Sequence, residues 1–255
     1  MLTITQFSDP HLTTSDATLK GYDTFSRFKS CVENAQAQPE IAHNEIFILS
    51  GDIAHDELSA TYVALRDYLD GRGGHWLHVP GKHDSPERLH EIFPTSSPSV
   101  ALRYKEVAFS DELSILLLSS HVPGEVGGAL DEGSLSILGK EVGKPKLVVL
   151  HHPPLSLGDP VFDAMGLQNH ADFWSAVEAN PDVIGVLFGH AHRAYHEDRV
   201  FGERRVTVLG CPSTAFQYGE DVDAPYGFDP SRLGYRQVTF CKDEGLKTSV
   251  CWLQP

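Results

Sequence analysis

No run of about 18 consecutive apolar residues occurs in the chain, and without one no helix can span the hydrocarbon core of a bilayer. Basic residues are scarce, with 20 lysines and arginines against 35 aspartates and glutamates and a formal net charge of −15. Phosphate polymers are gripped by clustered Lys and Arg, so no nucleic-acid polymer is expected as a partner. A small anion remains acceptable if bound cations supply the local positive charge. The four cysteines, Cys31, Cys211, Cys241 and Cys251, include no Cys-x-x-Cys pair. That pattern fits reduced structural thiols better than a disulfide framework or a zinc knuckle. Internal repeats, low-complexity tracts and long linkers are missing too. Met1-Leu2-Thr3-Ile4-Thr5 lacks the basic region and apolar core of a signal peptide and reads as a strand, so a cytoplasmic protein is expected.

What is present is enough apolar material, 41% of 255 residues, to bury the core of one large α/β domain over 1–255. Strand-like runs at Leu2–Ser8, Glu45–Ser50 and Trp76–Val79 alternate with helical spacing at Tyr22–Ala37, Leu58–Leu69 and from Pro86 onward. Such alternation predicts a parallel sheet with right-handed crossovers. Between Val100 and Ser119, two apolar runs flank Ser110-Asp111-Glu112 and predict an antiparallel hairpin opening a second sheet. Lys146–Leu150, a helix at His170–Ala179 and the run Val183–Phe188 follow, then strands at Arg205–Leu209, Tyr235–Phe240 and Val250–Leu253. Residues 211–255 are expected to extend the second sheet. Gly124–Gly133 reads as a surface loop with no phosphate-loop signature.

Five of these runs end in metal-binding or acid–base side chains. The first delivers Asp9-Pro10-His11, a hard oxygen and an imidazole that suit Mn, Fe or Zn. The second ends in Gly51-Asp52, whose carboxylate can bridge two cations. The third opens onto Gly81-Lys82-His83-Asp84, the strand at Lys146 delivers His151-His152, and Val183–Phe188 runs into Gly189-His190-Ala191-His192. Two imidazoles one residue apart on extended backbone point to opposite sides, so His190 and His192 could serve different ions. The eight other histidines, His55 among them, read as ordinary surface or packed residues. Asn169 precedes a helix as a plausible cap, a role favoured over contact with a ligand. Phe216, Tyr218, Tyr226 and Phe228 interleave with Asp221 and Asp223. That loop could stack a base, mediate homodimer contacts or simply pack on the surface.

The order Asp-x-His, Gly-Asp, Gly-x-His-Asp, His, Gly-His-x-His resembles the calcineurin-like metallophosphoesterases from Leu2 to about Gly210. Within them the chain is most similar to the bacterial class III cyclic-nucleotide phosphodiesterases of the Icc type. That narrower match rests on His151-His152-Pro153-Pro154-Leu155, Leu167-Gln168-Asn169, Gly210-Cys211-Pro212-Ser213-Thr214 and Leu233-Gly234-Tyr235-Arg236. The resemblance implies a four-layer α-β-β-α sandwich of two mixed sheets, with a metal site at the carboxyl ends of the strands. It implies Asp9, His11 and His192 as ligands of one divalent ion (Fe, Mn or Zn), Asp52 as a bridge, and His151 with His190 on a second. It further implies His83 as acid or hydrogen-bond donor to the leaving oxygen, with Asp84 orienting it. From its place beside His151, His152 could contact substrate, support a metal ligand or serve only the packing, and Lys82 could grip substrate phosphate by its charge. The expected substrate is a small phosphodiester, foremost 3′,5′-cyclic AMP. Other cyclic nucleotides, nucleotide diesters or monoesters, and phosphate binding without turnover are the alternatives.

One position departs from that pattern. The family has Asn where this chain has Lys82, and a protonated ammonium has three donors and no lone pair to offer a cation. Three readings stay open: Lys82 swings away, it stands in for the second cation, or the site binds without turning over. Lys82→Asn is accordingly expected to tighten the second metal. Unchanged metal stoichiometry and activity in that variant would show that Lys82 does not perturb the site.

Overall fold

The structure is a computed structural model that describes residues 2–14, 17–38, 45–108, 112–219 and 227–255. Its first three strands are β1 (Leu2–Phe7), β2 (Glu45–Leu49) and β3 (His75–His78), which pair in parallel in the order of the chain. The helices between and after them are α1 (Thr24–Gln36), α2 (Ser59–Asp70) and α3 (Pro86–Ile92). Asp23 caps α1 by accepting from the Ser26 amide at 2.9 Å, and Ser85 caps α3 ahead of Pro86, where a missing N–H costs nothing.

The hairpin expected after Val100 is formed by β4 (Tyr104–Ala108) and β5 (Ser114–Leu118). Residues 109–111, in its expected turn, lie outside the described ones. Parallel to β5 run β6 (Lys146–Val149), β7 (Val183–Phe188) and β9 (Arg204–Gly210), while β8 (Tyr195–Phe201) closes the edge antiparallel to β9. The exposed alternation of Tyr195-His196-Glu197-Asp198-Arg199 carries too little apolar signal for β8 to be read from sequence. Two helices on this half are α4 (Glu132–Leu138), immediately after the glycine-rich loop, and α6 (His170–Ala179). A short α5 (Pro160–Ala164) lies between them in the chain. Beyond β9, the short strands β10 (Gln217–Tyr218) and β11 (Phe228–Asp229) pair with each other.

Three apolar clusters define four layers. Ile4, Ile46, Ile48, Leu117, Leu147, Val149, Leu187 and Leu209 form the seam between the two sheets. Their strand neighbours point the other way, as a period of two requires. Phe7, Phe47 and Leu49 pack under Phe28, Val32, Tyr62 and Leu65 of α1 and α2. Leu116, Val148, Val186 and Phe188 pack under Leu138, Phe173 and Val177 of α4 and α6. The α-β-β-α sandwich of two mixed sheets is therefore observed.

The C-terminal segment corrects one expectation. The strands β12 (Leu233–Cys241) and β13 (Gly245–Leu253) form a hairpin whose first strand pairs antiparallel with β1, so they extend the first sheet and not the second. The second sheet is closed beyond β9 by β8, whereas β1 offers the hairpin an edge. Val238 and Phe240 complete the inter-sheet seam, and Tyr235 faces the α1 side. Between the sheets, buried Arg236 of β12 donates to the carbonyls of Gly210 and Tyr195 at 2.9–3.2 Å and so ties the hairpin to the second sheet.

Among the described residues no helix is long and apolar enough to cross a membrane. The layer assignment predicts that Leu147→Ala, at the seam, costs about 2–5 kcal/mol of stability. Val200→Ala, on β8 with the residue 66% exposed, should stay within about 0.5 kcal/mol. Urea denaturation midpoints of the two variants measure the difference.

Candidate metal centre

The parallel strands β1, β2, β6 and β7 all end at one edge of the sandwich, and the chain turns sharply at each end. Asp9, His11, Asp52, His190 and His192 all have positive φ, between 45° and 68°. Non-glycine residues enter this region at a cost, and five such residues on three loops mark a backbone bent to aim side chains at one point. His190 and His192 do diverge into different clusters, but through left-handed turns and not through the extended backbone expected from the sequence. Gly51, with φ of 100°, packs against His151 so closely that a Cβ would lie 2.2 Å from Nδ1.

The loops are stitched to one another. The Asp9 amide donates to the Gly51 carbonyl at 3.0 Å, the His11 amide to Asp52 at 2.9 Å, and the Gly189 amide to His151 at 3.0 Å. Gln6 reaches across the seam and donates to Ser50 Oγ at 2.8 Å and to the Phe188 carbonyl at 3.0 Å. From Ser50 a hydroxyl chain leads to Ser8 Oγ at 2.8 Å, and Ser8 donates to Asp9 Oδ2 at 2.5 Å. Ser213 Oγ holds the Asp9 carbonyl at 2.8 Å, giving the Cys211–Thr214 segment a bracing role.

Six of the predicted residues meet here. His11 Nε2 lies 3.1 Å from His192 Nε2 and 3.7 Å from Asp52 Oδ2, and His192 Nε2 lies 3.4 Å from Asp9 Oδ1. The other oxygen of Asp52, Oδ1, lies 3.3 Å from His151 Nε2, which is 3.3 Å from His190 Nδ1. Ligands at about 2.0–2.2 Å from one ion stand about 3–3.6 Å from each other, so these spacings suit divalent cations. Tautomers agree: His151 Nδ1 and His192 Nδ1 each donate to a backbone carbonyl, of Ser50 and Phe216, at 2.8 Å. Their Nε2 lone pairs are thereby turned inward.

Charge points the same way. Asp9 and Asp52 are 0% and 1% exposed, and among the described residues neither is paired with Lys or Arg. Burial holds His11, His152 and His190 well below the ordinary imidazole value, so they stay neutral and able to ligate. Burial would lower His151 as well, but the Asp52 carboxylate overrides it and raises His151 to about 9. A proton there compensates buried negative charge that a cation would neutralise better. The donor set thus fits one or two divalent ions, with Asp52 facing both clusters.

The remaining predicted residues divide. His83 is half-buried in the wall of a cavity of about 360 Å³, its ring 5.2 Å from that of His11, and its amide donates to Asp52 Oδ1 at 2.9 Å. Lys82 lines the same cavity and has no ion pair or hydrogen bond among the described residues. His152 is buried beside His151 and His190. Among the described residues no hydrogen bond joins Asp84 to the His83 ring that it was expected to orient. Its carboxylate accepts from the amides of Ile53, Ala54 and Gly81 at 2.8–3.1 Å and from the Tyr62 hydroxyl at 2.8 Å, clamping the β3 loop to the β2 loop. Burial and the nearby Asp52 charge raise its carboxyl to about 6 against those hydrogen bonds.

Some site residues escaped the sequence reading. His55 Nδ1 lies 3.2 Å from His11 Nδ1, three residues beyond Asp52, a spacing that carries no signal alone. Leu19, Lys20, Val161, Phe162 and Met165 also line the cavity. Phe216 and Tyr218 also face the cavity, with Phe216 stacked on His11 at 5.7 Å and Phe228 behind them. Asp221, Asp223 and Tyr226 of that loop lie outside the described residues. Asn169 makes no cap bond and instead clips Leu130, accepting from its amide at 3.0 Å and donating to its carbonyl at 2.9 Å.

A sequence profile of the calcineurin-like phosphoesterases matches residues 2–194, which carry all of these clusters. The chain belongs to that family. It is 32% identical to a probable cyclic nucleotide phosphodiesterase of Synechococcus, over 99% of this chain and 92% of that protein. It is 28% identical to a 3′,5′-cyclic adenosine monophosphate phosphodiesterase of Vibrio vulnificus, over 96% and 88%. In fold it is similar to a dimetal phosphatase from Danio rerio, with a TM-score of 0.64 at 14% identity over 99% and 98% of the two chains. Family members use divalent metals, in keeping with the donor set described above.

For this phosphoesterase the Asp84 clamp makes a stability prediction. Asp84→Ala strands three buried amides and a hydroxyl, at about 1–3 kcal/mol each, and should cost at least about 3 kcal/mol in urea unfolding. Tyr62→Phe should cost roughly half as much. Unchanged stability of Asp84→Ala with reduced turnover would return Asp84 to a role in orienting His83.

Proposed function

We propose that the protein is a metal-dependent phosphodiesterase that hydrolyses 3′,5′-cyclic AMP to 5′-AMP. The observation that carries the reading is Asp52, whose two oxygens face two separate clusters of imidazole and carboxylate donors at the edge of one cavity. The names of the similar proteins, cyclic nucleotide and cyclic AMP phosphodiesterases, support the substrate class.

Mn, Fe or Zn bound there would supply Lewis acidity and bring the pKa of water near 7. Asp9, His11 and His192 would hold one ion, His151 and His190 the other, with Asp52 between them. In-line attack of the water oxygen on phosphorus breaks the P–O3′ bond. His83, at the cavity wall and anchored through its amide to Asp52, delivers a hydrogen bond or proton to the departing O3′. Lys82, unpaired among the described residues and lining the cavity, sets an ammonium against a non-bridging phosphate oxygen. The aromatic wall of Phe162, Phe216 and Tyr218 offers apolar surface to the nucleoside.

The test is release of 5′-AMP from cyclic AMP by protein stripped of metal and then titrated with Mn. Turnover should appear with added metal. Its absence in folded, loaded protein would remove cyclic AMP and turn attention to other diesters, to monoesters or to phosphate binding without catalysis. His83→Ala should lower kcat by roughly two to four orders of magnitude with metal content unchanged.

A further inference from the structure

The second cluster has few ligands assigned so far, and two buried ring nitrogens there, His152 Nε2 and His190 Nε2, have no hydrogen-bond partner among the described residues. Around a second ion the donors so far assigned are Asp52 Oδ1, His151 Nε2 and His190 Nδ1. Lys82, the side chain of the β3 loop that stands where the family has a carbonyl-bearing Asn, carries an ammonium with no lone pair. His152 is fully buried, and its Nε2 has no hydrogen-bond partner among the described residues. A ring nitrogen of His152 lies within 4.8 Å of ring nitrogens of both His151 and His190, and the His152 ring is 5.0 Å from that of His190.

The position of His152 is held from behind. Its Nδ1 lies 2.8 Å from Ser120 Oγ, which also accepts from the His152 amide at 3.3 Å. A hydroxyl oxygen has two lone pairs, so it can accept from both nitrogens and leave the imidazole lone pair on Nε2. Gly128, from the loop that carried no functional signal, packs against the ring so tightly that a Cβ would lie 2.3 Å from Nδ1. A buried imidazole that is braced on one side and unpartnered on the other is built to ligate or to contact something that enters the site.

We propose that His152 Nε2 is a ligand of the second metal ion, filling the coordination position that Lys82 cannot occupy. The second site of this chain is then His151, His152, His190 and Asp52, a nitrogen-rich set, and Lys82 is free to bind substrate phosphate. The inference rests on the two-cluster reading of the centre given above, and metal content separates it from that reading.

Wild-type protein, His152→Ala and His152→Ala/Lys82→Asn are loaded with Mn, freed of excess by gel filtration and assayed for bound metal. The coupled Mn pair is followed by electron paramagnetic resonance, and cyclic AMP turnover of the wild type is measured alongside. The wild type should hold two ions and show the coupled signal. His152→Ala should hold one, its second site weakened at least about tenfold. The side-chain carbonyl that Lys82→Asn introduces in the double variant should restore the second ion and the coupled signal, which no general loss of folding would do. Should His152→Ala fold poorly, Gly128→Ala, which presses on the His152 ring, should weaken the second ion in the same direction. Two tightly held ions in His152→Ala, with a raised KM only, would overturn the proposal in favour of a substrate contact. A wild type that turns over with a single ion would overturn it while leaving the hydrolase reading intact.

Discussion

Asp9 and Asp52 are buried carboxylates with no lysine or arginine paired to them among the described residues, and much of the centre is arranged around them. Isolated buried anions are costly, so they persist where hydrogen bonds and a counter-charge accompany them. Here the hydrogen bonds come from Ser8 and the His190 amide to Asp9 and from the His83 amide to Asp52. Inward-facing imidazoles from the same strand ends supply the remaining donors. The counter-charge is what a divalent ion brings.

Meeting that constraint shapes the backbone as well. Five of the six donor residues sit in the left-handed region, a strain that strand ends can sustain because each turn is tied to its neighbour by amide-to-carbonyl bonds. The seam of Ile, Leu and Val between the sheets fixes the relative height of β1, β2, β6 and β7, and thus the distance between clusters. Gln6 and Arg236 are polar exceptions in that seam, and both use their burial to bind one sheet to the other. The stability of the sandwich and the geometry of the centre are therefore the same problem.

Some of this was legible in the chain. Ionisable residues directly after apolar runs, with Gly before Asp52 and His190, announce side chains presented at strand ends, and the alternating elements announce parallel pairing. Other features carried no such mark. Asp84 looked like a partner for the adjacent His83, yet its oxygens are taken largely by backbone amides from a loop about thirty residues away. His55 sits outside any motif and reaches His11 only through the fold. The C-terminal hairpin has strand character from either viewpoint. Which sheet it joined depended on which edge was free, and a local pattern does not encode that.

By itself the sequence determined the residue types of the donor set, their order along the chain and the alternation of strands and helices. Periodicity and chemical type are local properties, readable one segment at a time. Only the tertiary structure decided which nitrogen of each imidazole faces inward, that Asp52 stands between two clusters, that His152 is buried with an unpartnered Nε2, and that Lys82 stands at the cavity with no partner among the described residues. Each of these depends on contacts between residues tens to hundreds of positions apart, set by sheet packing and loop stitching.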